Sequence, residues 1–132
     1  MICGRLQQPL EEPTLLTLYG IKNCDTVKKA RKWLEAQNIE YRFHDFREDG
    51  LDAGQAGQWI DELGWETLVN RRSTTWKQLP ESTRHAMDAA SALEQVVEHP
   101  TLIKRPLLDT GDSRHVGFKE EDYRRILNLH TL

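Results

Sequence analysis

The chain has 132 residues, enough for one domain with its own core and too few for two independent ones. Charged residues make up 30% and apolar ones 38%, which excludes a disordered or membrane-embedded class, and no apolar run is long enough to span a bilayer. A formal net charge of −3 gives no support to a broad nucleic-acid surface or direct nucleic-acid partner, though a local basic site is compatible with it.

Residues 1–13 are expected to form an irregular lead-in, with Pro9, Glu11, Glu12 and Pro13 breaking any period, and "MICGRLQQPLEEPTLL" has no cationic flank leading into an apolar core, so it does not read as a secretory signal. A single domain is expected over 14–132. "TLLTLY", Thr14 to Tyr19, is an apolar, β-branched run closed by Gly20 and predicts a buried strand. From Asp25 the period becomes helical, with Val27, Ala30 and Leu34 on one face. "NIEYRFHDF" then alternates, placing Ile39, Tyr41 and Phe43 opposite Glu40, Arg42 and His44, as in a half-buried strand. Strand, helix and strand with short connections make a βαβ unit, hence a parallel pair.

"EDG" at 48–50 is a turn, after which Ala56, Trp59, Ile60 and Leu63 form a helical stripe stopped at Gly64. "WETLVNRRSTTWKQLP" is expected to be a weak helical turn followed by a polar, basic loop. A helix is predicted over Asp88 to Glu98, with Leu93, Val96 and Val97 facing inward. "TLIKRPLLDTGDSRHVGF" predicts a β-hairpin: an arm through Leu108, a turn at Thr110 to Asp112, and an arm at His115 to Phe118. A last helix follows, Glu120 to Leu129, with Tyr123, Ile126 and Leu127 as its apolar side. The order β-α-β, helices, β-β-α predicts an α/β fold: a thioredoxin-like mixed sheet with a helical insertion at about 51–99 between its halves.

Chemistry concentrates at Cys24, one of two cysteines, in "YGIKNCDTVKK". It sits just before a helix, whose first-turn N–H groups are unpaired and whose dipole places positive charge there. Both favour the thiolate, the nucleophilic form, and Lys22, Lys28 and Lys29 add cationic charge while Asp25 opposes it. The bland alternative is a small buried thiol; the helix-start position favours the reactive reading. Val27 occupies the third position after Cys24, so no C-x-x-C resolving pair exists. Arg31 lies one position beyond the spacing of the phosphate cradle of tyrosine phosphatases. The five histidines have no metal-ligand spacing and are expected to be surface or structural. The other cysteine, Cys3, falls in the lead-in, and a domain of this size needs no staple, so a reducing cytoplasm is expected.

"KRP" at 104–106 is the second point: in a thioredoxin-like fold a proline, often cis, precedes the strand facing the active cysteine. Arg105 beside it could fork onto a carboxylate or oxyanion. "NRRSTTWK" supplies Arg71, Arg72 and Lys77, either an anion site or a solvated basic face.

Together, "LYGIKNCDTVKKARKWLEAQNIEYRFHDFREDGL", "LVNRRSTTWKQL" and "HPTLIKRPLL…VGF" resemble the ArsC/Spx family of arsenate reductase-like proteins, nearest its YffB-type branch, from about Leu15 to Leu129. The resemblance implies a thioredoxin-like sheet with a helical insertion. It implies that Cys24 is the catalytic cysteine with Asn23 and Thr26 shaping its loop, that Arg105 is the arginine of the I-x-R-P segment, and that Pro106 is its cis-proline. In arsenate reductases of the family the cysteine attacks arsenate and glutathione resolves the adduct, with glutaredoxin.

Two departures matter. Asn70 stands where those reductases place a second arginine, with Arg71 and Arg72 just after it, and Gly117 or Phe118 stands where they place a third. Losing two charge-assisted contacts should weaken arsenate capture severely. The expectation is therefore a thiol oxidoreductase with Cys24 as nucleophile and glutathione as co-substrate through a mixed disulfide. Arg105, Lys22, Arg71 and Arg72 would hold glutathione carboxylates, and Pro106 would present backbone to it. The expected partners are glutathione or another small thiol or disulfide, and glutaredoxin, with no metal and no membrane, the chain acting as a monomer. The alternative is a non-catalytic, Spx-like regulatory binding protein; Spx proteins share the "VGF" or "VGY" segment but typically carry C-x-x-C. True arsenate reduction ranks third.

Overall fold

The computed structural model describes residues 16–127. The lead-in at 1–13, Cys3 and the last turn of the C-terminal helix expected to reach Leu129 lie outside that range. The first strand, β1 (Thr17–Gly20), leads through a short loop into α1 (Asp25–Ala36) and returns as β2 (Arg42–Asp45). Five helices follow: α2 (Phe46–Asp49), α3 (Ala53–Leu63), α4 (Trp65–Leu68), α5 (Thr74–Gln78) and α6 (Glu81–His85). Then come α7 (Ala89–Glu98), a 3₁₀ turn at Pro100–Leu102, β3 (Leu107–Asp109), β4 (Arg114–Val116) and α8 (Glu120–Ile126).

The strands form one sheet in the order β2-β1-β3-β4. β1 and β2 are parallel, and β3 is antiparallel to both β1 and β4. This is a thioredoxin-like mixed sheet, as the element order predicts.

Side-chain alternation sends successive residues to opposite faces. Leu18 is in register with Phe43 and Leu108, and these join Ala30, Trp33 and Leu34 of α1 and Tyr123 of α8 in one core. The next register row, Tyr19 with His44 and Leu107, faces the other way. There Tyr19 and Leu107 pack with Phe46, Trp59, Ile60 and Val96 of the helical insertion. The sheet is therefore covered on both faces, and β2, at its edge, is half-buried as its alternation suggests, with His44 partly buried rather than exposed. His44 stacks on Tyr19 with centroids 4.8 Å apart, and its Nε2 lies 2.7 Å from the Gly50 carbonyl. A structural histidine is thus what the ring becomes.

Gly20 is fixed by a close approach. A Cβ there would lie 2.7 Å from Val27 Cγ2, so only glycine lets the end of β1 touch α1. α1 is stopped by Asn38 at φ 60, with Ile39 N–H donating back to the Leu34 carbonyl. That turn delays β2 until Arg42, later than the alternation from Ile39 predicts.

Three other expectations are corrected. The segment after Asn70 is not a plain loop: Ser73 caps α5 by accepting from Trp76 N–H, and Trp76 and Leu79 are buried. In α7 the buried residues are Ala92 and Val96, while Val97 is exposed, because packing against α3 selects a face one residue round from the predicted one. β4 ends at Val116, since Gly117 takes φ 86 and swings Phe118 onto Trp33 and Tyr123.

Candidate functional site

Cys24 is the N-cap residue of the twelve-residue helix α1. It is half-buried against the insertion-side core, and its backbone N–H donates to the Ile21 carbonyl at 3.3 Å. Its side chain makes no capping bond, so the first-turn amides of α1 are left to an incoming anion. The loop before it is tied down from below. Asp45, 4% exposed at the end of β2, accepts from Lys22 N–H through Oδ2 at 3.2 Å. Its Oδ1 accepts from Arg47 N–H at 2.8 Å, capping α2. One buried carboxylate thus fixes both the thiol loop and Arg47.

Arg105 comes from the segment entering β3, where the Arg105–Pro106 peptide is cis. The guanidinium is half-buried, and its Nη1 is buried with no hydrogen-bond partner among the described residues. Burial draws its pKa below the usual arginine value; the charge of Cys24 opposes that and the charge of Arg47 adds to it. Arg105 therefore lies within electrostatic reach of both.

Arg105 lines two cavities. The larger, about 860 Å³, is also walled by Thr26, Glu66, Asn70, Arg71, Arg72, Lys104, Gly117, Phe118 and Lys119. The smaller, about 390 Å³, has Ile21, Arg47, Asn70, Arg72, Thr75 and Thr101 in its wall. Cys24 lines neither, but its loop runs between them, with Ile21 in one wall and Thr26 in the other. The Arg71–Arg72 loop is held here by backbone bonds. Asn70 N–H donates to the Leu102 carbonyl at 2.7 Å and Lys104 N–H to the Leu68 carbonyl at 2.8 Å. Asn70 Oδ1 accepts from Arg72 N–H at 3.0 Å, closing an Asx turn.

The residues singled out in the sequence divide accordingly. Arg105, Thr26, Arg71 and Arg72 converge on the larger cavity, and Arg71 also sits over the Trp65 ring. Asn23 is exposed and lines neither cavity. Lys22 Nζ pairs with Glu48 at 2.8 Å on the surface, and that bond raises its pKa. Pro106 follows the expected cis peptide and is buried, and its carbonyl accepts from Gly117 N–H at 2.9 Å.

Sequence reasoning missed Arg47, Lys104 and Lys119 as wall residues. Arg47 sits in "FREDG", where the charge pattern signals only a turn; Lys104 opens the quoted "KRP", where attention fell on Arg105 and Pro106, and Lys119 follows "VGF". Asn70, Gly117 and Phe118, the positions that depart from the arsenate reductase pattern, do line the cleft. Gly117 at φ 86 has a backbone that an arginine would adopt only at a cost.

The model of the ArsC family matches residues 19–126. The chain belongs to the ArsC family. Family members of arsenate reductase and Spx kind make this a family of thiol-oxidoreductase type. A *Haemophilus influenzae* protein of unassigned function is 49% identical over 110 residues, 83% of this chain and 96% of that protein. The global transcriptional regulator Spx of *Enterococcus faecalis* is 30% identical over 115 residues, 86% of each chain. The solved structure of a YffB protein superimposes with a TM-score of 0.80 at 43% identity, covering 83% of this ArsC-family chain and 96% of that one.

Among the described residues no helix is long and apolar enough to cross a membrane, and no three His, Cys, Asp or Glu side chains are grouped to hold a metal ion.

Proposed function

We propose that this ArsC-family protein is a glutathione-dependent thiol reductase that uses Cys24 as its only nucleophile. The observation that carries the reading is Arg105, a guanidinium with an unpaired buried nitrogen, within electrostatic reach of Cys24 and in the wall of a cleft lined by more cations than carboxylates. The Cys24 thiolate attacks one sulfur of a disulfide. An Sγ–S bond forms, the substrate S–S bond breaks, and its electron pair leaves on the departing thiolate. With Val27 buried where a resolving cysteine would stand, an external thiol must attack the mixed disulfide and return Cys24. Arg71, Arg72, Lys104 and Lys119 supply charge for glutathione carboxylates in the larger cavity, which is wide enough for a tripeptide. Asn70, and Gly117 or Phe118, at two family arginine positions argue against arsenate as the substrate.

The test is glutathionylation of a Cys3→Ser chain by glutathione disulfide, followed by intact mass. One adduct per chain is expected, lost in Cys24→Ser and slowed several-fold in Arg105→Leu. Equal labelling of Cys24→Ser would overturn the proposal. Arsenate-dependent turnover with glutathione and glutaredoxin present would restore arsenate as substrate.

The 30% identity to Spx of *Enterococcus faecalis* supports a second reading, a non-catalytic binding protein that uses the Arg71–Arg72 loop as its contact. A pull-down from native lysate that recovers no stoichiometric partner would count against it.

A further inference from the structure

We propose that the smaller cavity is a second anion site, which holds a carboxylate or phosphate carried by the molecule that reacts at Cys24. Three guanidiniums from distant parts of the chain, Arg47, Arg72 and Arg105, share its wall, and no carboxylate lines it. Among the described residues none of the three is in an ion pair. The acidic groups nearest in sequence are already engaged. Asp45 accepts from two backbone amides, Glu48 pairs with Lys22, and Asp49 Oδ2 accepts from Asp45 N–H at 3.1 Å.

Arg47 and Arg72 are exposed and their mutual repulsion is screened by solvent, but three like charges in one wall still favour an anion between them. The buried, unpartnered Nη1 of Arg105 adds a donor that lacks an acceptor. Thr75 and Thr101, in the same wall, share a hydrogen bond with their hydroxyls 2.7 Å apart, which uses one O–H and leaves the other as a neutral donor. At about 390 Å³ the space suits a small oxyanion or one charged arm of a larger molecule. Guanidiniums are suited to either group because their planar fork matches carboxylate and phosphate oxygens.

The position says what the anion belongs to. Ile21, whose carbonyl accepts from Cys24 N–H, is a wall residue here, and Arg105 lines both cavities. A disulfide at Cys24 has two arms. If glutathione takes the larger cavity, the smaller one is left for the other arm, and its arginines make the substrate class an anionic disulfide. That substrate assignment rests on the thiol chemistry proposed above, whereas anion binding at the three arginines does not.

The experiment uses a Cys3→Ser, Cys24→Ser chain, which removes thiol chemistry altogether. It is titrated at constant ionic strength with inorganic phosphate and, separately, with succinate, and followed by amide NMR and calorimetry. Saturable binding is expected, with shifts at Arg47, Thr75 and Thr101. Arg47→Gln should weaken it at least fivefold, while Lys119→Gln, which touches only the larger cavity, leaves it within twofold. Tighter phosphate assigns a phosphoryl arm and tighter succinate a carboxylate arm, and either result supports the site. Absence of saturable binding by both probes overturns it, as does binding weakened by Lys119→Gln but not by Arg47→Gln. A failed glutathionylation assay would remove the thiol reductase reading and leave this result standing.

Discussion

Replacing Asp45 by alanine separates the support of the site from the core beneath it. The carboxylate is 4% exposed and accepts from Arg47 N–H at 2.8 Å and Lys22 N–H at 3.2 Å. An orphaned donor costs about 1–3 kcal/mol when water cannot replace the acceptor. Here Lys22 and Arg47 are exposed residues, so water reaches their amides and the low end applies to each. Losing both bonds and the α2 cap, less the recovered cost of burying a carboxylate, gives about 2 kcal/mol for Asp45→Ala. Asp45→Asn keeps one acceptor and a good capping residue, and about 1 kcal/mol is expected. Urea unfolding should show lower midpoints at an unchanged slope. Amide hydrogen exchange should quicken at 21–24 and 46–48 while α7 stays protected. An Asp45→Ala chain within 0.5 kcal/mol of the parent would refute this account of the tether. So would faster exchange that spreads evenly into α7.

Three other substitutions probe separate links. Gly20→Ala puts a Cβ 2.7 Å from Val27 Cγ2 and should cost about 1–3 kcal/mol. Adding Val27→Ala should return part of that cost, with a coupling of about 1 kcal/mol in a double-mutant cycle of urea midpoints. Ser73→Ala removes the α5 cap and the hydroxyl bond to the Asn70 carbonyl at 2.8 Å, for about 1 kcal/mol, and should raise exchange at 70–76 beside the cleft. Tyr123 has its hydroxyl buried without a hydrogen-bond partner among the described residues, and burial pushes its pKa up. The folded chain therefore holds that proton more tightly than the unfolded one. This contribution is complete below the ordinary tyrosine value of about 10 and is lost as pH rises above it. Tyr123→Phe should leave stability at pH 7 unchanged or slightly higher, and should flatten the alkaline decline seen in melts above pH 10; an equally steep decline would refute it.

Local pattern determined the order of the strands and the longer helices, and with it the sheet, but not the short helices Phe46–Asp49, Thr74–Gln78 and Glu81–His85. Alternation in "TLLTLY", the helical period from Asp25 and the turn at Thr110 to Asp112 each depend on neighbours in the chain, so they were legible there. Cys24 at a helix start and Arg105 before a proline were legible for the same reason. What the sequence could not convey was which charges meet. Lys22 looks like a free thiol activator until α2 brings Glu48 against it. Arg47 looks like a turn residue until Asp45 fixes it in a wall that Arg105 shares. The partial burial of His44 on β2 likewise waited on tertiary packing, since a polar residue hides a packed position. Periodicity is a property of consecutive residues, whereas a site assembled from positions 21–26, 47, 70–75 and 101–119 depends on long-range packing, and only the tertiary structure decided it.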